Sequence, residues 1–463
     1  MAPTKKSVHQ KRKGAVLIIS MIFVVIFSAL AVSMAAMSGT NVQLAENQRK
    51  ADRARACAES GFDVIRFWLN RVSISGTTAE DLRFSQIAGS LQEELTNESI
   101  TNITTSSNGS VVTIPSVTLD SPREKSFYGT ITPLDNETLQ IDITGVCGSI
   151  TRTIRAHYNF SERANNVFDF GVATKGPLSL AGNIELEGVN VSVEASVYIE
   201  SENSNLALSI IGNSQIAGDV SIGNPIASVD IQGGQAGIGG ETGQDAIDNH
   251  VEFGVPPSQF PEPDPSQFAS FVTPLDPNMD TSADATLENI RIPANTNPTF
   301  SGQVILKGIV YVETPNVVEF TGGADITGII VGDGNIEDNS GVNQIIFQGN
   351  VDSHPVTELP EEAQFDGLHD QTGTFVMAPG FDVSFGGSFS ALCGAIAANG
   401  VEFFGNAGGT INGSVINYSD EEMMLSGNSD LYFNRSGTTE VPAGFVPEIV
   451  LEYDPTSYSE VLI

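Results

Sequence analysis

The sequence predicts a mainly β protein with three parts: a long N-terminal helix, a small antiparallel meander, and a large right-handed parallel β-helix, or β-solenoid. Three observations carry this. Residues 15–37 run apolar and without charge. Residues 111–160 alternate apolar and polar side chains in four runs. After Phe170 lie 37 of the 46 glycines, where short apolar runs alternate with Gly-Asn corners.

The first element follows from AVLIISMIFVVIFSALAVSMAAM, Ala15 to Met37, 23 residues that contain no charge. At 1.5 Å per residue this helix reaches about 34 Å, enough for a ~30 Å hydrocarbon core. Residues 1–13 hold Lys5, Lys6, Lys11, Arg12 and Lys13 and no acid. Such a basic head keeps the N-terminus inside and sends the body outside. The run is longer than the apolar core of an ordinary secretory signal. No proline interrupts residues 4–114. Leu44, Ala51, Ala58, Phe62, Ile65 and Leu69 recur at helical spacings. One helix of ~55 residues, 15–72 at most, is therefore expected: transmembrane over 15–37 and amphipathic over 38–72.

Residues 73–165 read as a small α+β unit, with a short helix over Ser85–Leu95 and strands at 111–119, 125–134, 137–146 and 150–160. Period-two alternation with turns at Asp135-Asn136 and Cys147-Gly148 predicts an antiparallel meander. Residues 166–445 carry the β-solenoid. Gly-Asn occurs at 182–183, 212–213, 223–224, 334–335, 349–350, 405–406 and 427–428. These residues tolerate the left-handed backbone that tight corners need. Inward Val, Ile, Leu and Phe would stack rung on rung. Phe381, Phe385, Phe389, Phe403 and Phe404 are candidates for an interior aromatic ladder. Residues 254–286, with seven prolines, form an excursion on the flank, and 352–373 are a second polar stretch. The tail, 446–463, is expected to drape over the last rung.

Charge is unevenly placed. The net charge is −35, and residues 164–463 hold 4 basic against 41 acidic side chains. A body this acidic repels phosphates, which excludes a nucleic-acid binder. Cys57, Cys147 and Cys393 form no CxxC and support neither a disulfide framework nor a zinc site, with a single Cys57–Cys147 bridge the one pairing to consider.

The basic leader ending in Gly14, the apolar helix start and the segment NVQLAENQRKADRARACAESG together resemble the type IV pilin-like proteins, most closely the PilX-type minor pilin N-terminus. The resemblance implies cleavage after Gly14 by a prepilin peptidase, leaving Ala15 as the mature first residue. Ile19 stands where major pilins carry a Glu that pairs with the next subunit. That departure is shared with PilX-like proteins and implies a tip or initiating subunit rather than bulk filament. Between Asn289 and Phe445, the phrases IPANTNPTFSGQVILKGIVYVETPNVVEF, TGTFVMAPGFDVSFGG and GNAGGTINGSVINYS resemble large exported proteins of planctomycete-like bacteria that join such an N-terminus to a β-helical body.

Chemistry is sparse. Asp325, Asp333, Asp352 and Asp382 are the acids weighed for a glycosidase pair. No HExxH or GxSxG setting exists, and no enzyme is expected. In DGNIEDNSG, Asp333, Asn335, Glu337 and Asp338 are candidate oxygen ligands for Ca2+, although the twelfth position is Gln344 rather than a bidentate acid. No other cofactor is expected. The function expected is non-enzymatic: a minor pilin-like subunit held in the inner membrane by one helix, N-terminus cytoplasmic and body periplasmic, reaching the cell surface on filament assembly. Its expected partners are other pilin or pseudopilin subunits, the membrane, the prepilin peptidase and a surface polysaccharide. The alternatives are a membrane-tethered carbohydrate-binding or carbohydrate-active β-helix and a bactofilin-like polymer former.

Overall fold

The structure, a computed structural model, describes residues 15–97, 100, 103–202, 204–435 and 441–461. The chain forms two compact units. One holds the chain up to Ile74, Thr78–Ser161 and the stretch from Val450; the other holds Ser75–Thr77 and Glu162–Ile449.

The first unit is built on α1, Ala15–Leu69, 55 residues without a break. Its second half buries Ala51, Ala54, Ala58, Phe62, Ile65 and Leu69, one stripe at spacings of three and four. Leu44, expected in that stripe, is 67% exposed. The stripe packs on an antiparallel sheet whose strands are Val112–Asp120, Lys125–Pro133, Thr138–Cys147 and Ile150–Arg163. Gly145 makes the approach close, because a Cβ there would run into the Ala54 carbonyl and the Ala58 amide. Burying Phe62, Ile65 and Leu69 contributes about 1.5–3 kcal/mol each. A second helix, α2, spans Glu80–Asn97, longer at both ends than the sequence suggested. It buries Phe84, Ile87, Leu91 and Leu95. Glu80 and Asp81 in its first turn oppose the helix dipole favourably.

The tail corrects one expectation. Glu448–Val461 is a strand of this antiparallel sheet, between Ser73–Ser75 and Ile150–Arg163. Its Tyr453 meets Phe62 edge-on at 5.4 Å, which gives the tail an apolar anchor on α1.

The second unit is mostly β with parallel pairing. Ile290, Val310, Ile330, Val376, Ile396, Val415, Val172, Val197, Val220 and Val251 stand in one continuous register. At ~4.8 Å between strands this row is about 43 Å long. A second row runs Phe300, Phe320, Phe347, Phe385, Phe403, Leu425, Leu180, Ile210 and Ile231. A third, shorter row aligns Leu431, Leu186, Ile216 and Ile238. The three rows meet in one apolar core. Spatial order is not chain order: Val172–Thr174 lies between Val415–Asn417 and Val197–Ile199, and Leu178–Gly182 lies between Met423–Gly427 and Leu206–Gly212.

The aromatic ladder exists, with altered membership. Phe300, Phe320, Phe347, Phe385 and Phe403 stack at centroid distances of 5.2, 4.9, 5.0 and 5.1 Å. Phe389 sits edge-on to Phe385, Phe381 is buried apart from the stack, and Phe404 lies outside it, half-buried. The Gly-Asn corners stack as well. Asn213 Nδ2 donates to Asn183 Oδ1 at 2.8 Å, and Asn183 Nδ2 donates to Asn428 Oδ1 at 2.9 Å. Gly212 at φ 89° turns this corner, where a Cβ would sit 2.5 Å from the Gly182 carbonyl.

The Pro-rich excursion and the second polar stretch both cover one flank. Phe268 from the first and Val356, Leu359, Phe365 and Leu368 from the second close on Ile309, Ile329, Met377 and Ile416. One end of the stack is covered by a helix. The helix α3, Gly243–His250, absent from the sequence reading, packs its Ala246 into the core beside Val251–Phe253. At the other end Ser301 N donates to Thr281 O at 3.0 Å and Gln303 N to Asp284 Oδ1 at 2.8 Å. These bonds occupy the amides of Ser301 and Gln303 next to the edge strand Thr299–Phe300.

Candidate functional site

The first half of α1 is the site with the least ordinary physics. Residues 15–45 carry no charge. Its side chains are exposed all round: Val16 is 70% exposed, Phe23 55% and Met37 64%. About 30 helical residues span about 45 Å. Ala15–Leu44 thus forms a rod of apolar surface that the single chain does not cover. Each large side chain on it forgoes about 1.5–3 kcal/mol of burial until a partner or lipid covers it. The helix is long and apolar enough to cross a membrane.

The rod ends sharply. Glu46 and Arg49 form an ion pair at 2.6 Å, and the Arg49 guanidinium holds the Glu46 carboxyl below its usual range. Arg55 and Glu59 pair at 3.0 Å further along the helix. Polar side chains inside the rod bond to their own helix: Ser20 Oγ donates to Leu17 O at 2.9 Å, and Thr40 Oγ1 to Ala36 O at 3.0 Å. Neither needs a polar partner. The surface is therefore suited to lipid and to other apolar helices.

Residues 13–63 match the family model described as PilX N-terminal. The chain carries a PilX-type pilin N-terminus. That segment coincides with the exposed rod and the first turns of the buried stripe. The competence-associated pilin ComZ from Thermus thermophilus aligns at 12% identity over 89% of this chain and 98% of its own, with a TM-score of 0.24. An ice-binding protein from the Antarctic ascomycete Antarctomyces psychrotrophicus aligns at 11% identity over 58% of this chain and 97% of its own, with a TM-score of 0.19. At these values neither transfers a fold or a role. No curated protein matches the sequence.

The residues singled out by sequence fall as follows. Gly14 lies outside the described residues. Ala15 opens α1, and Ile19 is 53% exposed on the PilX-type rod. The Ca2+ ligand set does not gather. Asp333 accepts the Thr314 amide at 2.7 Å, with burial pushing its carboxyl up. Asn335 accepts the Glu337 amide at 3.0 Å, and Glu337 itself is exposed. Asp338 accepts the Ser340 amide at 3.0 Å; hydrogen bonds from Ser340 hold its carboxyl down. The Asn335 and Asp338 bonds form turns within the loop, whereas the Asp333 bond ties the loop to Thr314 on a neighbouring segment. Among the described residues no group of three or more His, Cys, Asp or Glu is placed to hold a metal ion.

The four acids weighed for hydrolysis also separate by role. Asp325 faces His354 at 3.4 Å, and Asp352 accepts the Ser390 hydroxyl at 2.7 Å. Asp333 is held by the Thr314 amide. Asp382 lines a cavity with Glu402, a neighbour that sequence reasoning missed because the two sit on different strands. Cys57 and Cys147 are buried free thiols, so no bridge joins them. Arg435 is structural: it donates to the carbonyls of Glu194, Phe168 and Val193 at 3.0–3.1 Å.

Proposed function

We propose that this protein is a minor pilin-like subunit, non-enzymatic, that displays an acidic β-solenoid outside the cytoplasmic membrane for assembly and adhesion. One observation carries the reading: a PilX-type helix whose first half is an unpartnered apolar rod, while its second half is locked into its own sheet. The rod sits in the inner membrane as a single-pass anchor. It then passes into a bundle with other pilin or pseudopilin helices, exchanging lipid for side-chain packing. The basic residues before it set the N-terminus in the cytoplasm and the body in the periplasm.

The second unit is read as a right-handed β-solenoid, supported by three apolar rows in continuous parallel register. The helix over one of its ends weighs against the bactofilin-like alternative, which needs free ends to stack. Its surface charge favours neutral or cationic partners over anionic ones.

The experiment is photocrosslinking in native membranes, with a photoreactive residue in place of Phe23 and, as control, Leu134. The expected result is crosslinks to other pilin-like subunits from position 23 alone. Crosslinks only to lipid, under conditions that assemble filaments, would overturn assembly as the role.

A further inference from the structure

A cavity of about 600 Å³ opens on the outer side of the parallel sheet in the second unit. Its floor is two registered rows, Gln344–Asp382–Gly400 and Ile346–Ser384–Glu402. Gly400 makes the depression, since a Cβ there would run into the Asp382 carboxylate. Phe404 and Met424 supply apolar surface, and Glu421 and Glu422 stand at one wall.

The two central acids differ from the other acids weighed in neighbouring strands and loops. No donor among the described residues reaches the carboxylates of Asp382 or Glu402, while Asp333, Asp338 and Asp352 each accept one. Burial pushes the carboxyls of Asp382 and Glu402 up; Asp338 adds to the first and Asp382 to the second. Asp382 is half-buried and Glu402 exposed, and acids without a donor in a cleft with an apolar wall are a mark of a binding site.

The lining decides the ligand class. No Lys, Arg or His lines the cavity, so an anionic ligand would meet only repulsion. The acids form no group of three fit for a metal ion. What remains is a neutral ligand rich in hydroxyl donors with an apolar face. A sugar ring has both: hydroxyls for the free carboxylates and a C–H face for Phe404.

We propose that this cavity binds a neutral glycan, held by Asp382 and Glu402 as hydroxyl acceptors and by Phe404 as a stacking platform. This binding is independent of the N-terminal helix. It would give the displayed body an adhesion target.

The test uses the full chain in detergent micelles, titrated calorimetrically with laminarin, dextran, xyloglucan and mannan, and with alginate and polygalacturonate as anionic probes. At least one neutral glycan should bind and neither anionic one should. Phe404→Ala and Glu402→Gln should each weaken binding by about tenfold or more, the equivalent of ~1.4 kcal/mol. Thr299→Ala, in an edge strand away from the cavity, should leave it unchanged. Glu402 is exposed, so E402Q separates lost binding from lost folding, which a melting curve checks. Binding to none of the neutral glycans, binding to an anionic one, or binding that survives both variants would overturn the proposal. None of these outcomes bears on processing or assembly of the N-terminal helix.

Discussion

Val172, in the first strand of the β body, pairs in parallel register with Val415, in one of its last, and pairs on its other side with Val197. The start of the body is thus enclosed in the middle of the stack. Late strands are interior, and their side chains face neighbours on both sides.

That placement makes Leu425 a core residue. It lies between Phe403 and Leu180 in the second row and is fully buried. Leu425→Ala should cost about 2–5 kcal/mol, the range for a buried leucine that leaves a cavity. Chemical denaturation reads the loss. A cost under about 1 kcal/mol would mean that residue 425 lies at a loose end rather than inside the stack.

The body is an insertion between two strands that neighbour each other in the sheet, Ile150–Arg163 and Glu448–Val461. Arg163 and Glu448 pair at 3.1 Å where the chain enters and leaves. Replacing residues 165–447 by a short Gly-Ser linker should leave the first unit folded, with its helical circular dichroism and cooperative melting retained. A chain that aggregates or melts without cooperativity would show that the sheet depends on the body.

Close packing of α1 rests on Gly145. Gly145→Val would push a side chain into the Ala54 carbonyl and the Ala58 amide. Destabilisation of about 1–3 kcal/mol or more is expected, as for overpacked cores. Gly109→Val, where no atom lies within 4 Å, tests a different cost, the left-handed backbone alone. The two should therefore differ: only the first should shift the near-ultraviolet signal of Trp68, buried on α1.

Asp382 and Glu402 set a pH dependence. Their folded-state pKa values are raised by burial, with Asp338 facing the first and Asp382 the second. A raised folded pKa means the native state binds protons more tightly than the unfolded one. Their contribution is favourable below the unfolded carboxyl pKa and is lost as pH rises through the folded values. Asp382→Asn should therefore raise the melting temperature at pH 7, by about 1–3 °C, and leave it nearly unchanged at pH 3. Equal effects at both pH values would contradict the assignment.

The helix was legible because it needs only local signals: an uncharged run, then a stripe at helical spacing. Leu44 misled because a stripe shows which face is apolar, not how far the sheet extends beneath it. The four meander strands were legible from alternation. The tail strand was not, since nothing in VPAGFVPEIVLEY names a partner some 290 residues earlier. The Phe ladder was half legible. Phe385 and Phe403 are near in sequence, while Phe300, Phe320 and Phe347 arrive at uneven intervals set by loops of different length. The eight residues of α3 are too few for a periodic signal. The rod on α1 was legible in full; the cavity was not, because its floor comes from separate strands brought into register only by folding.

The central claim is that Ala15 begins a processed pilin-like helix. Mass spectrometry of the mature N-terminus from native membranes tests it most directly. The account predicts a chain beginning at N-methylated Ala15. A chain beginning near Ser38, or uncut at Met1, would contradict it.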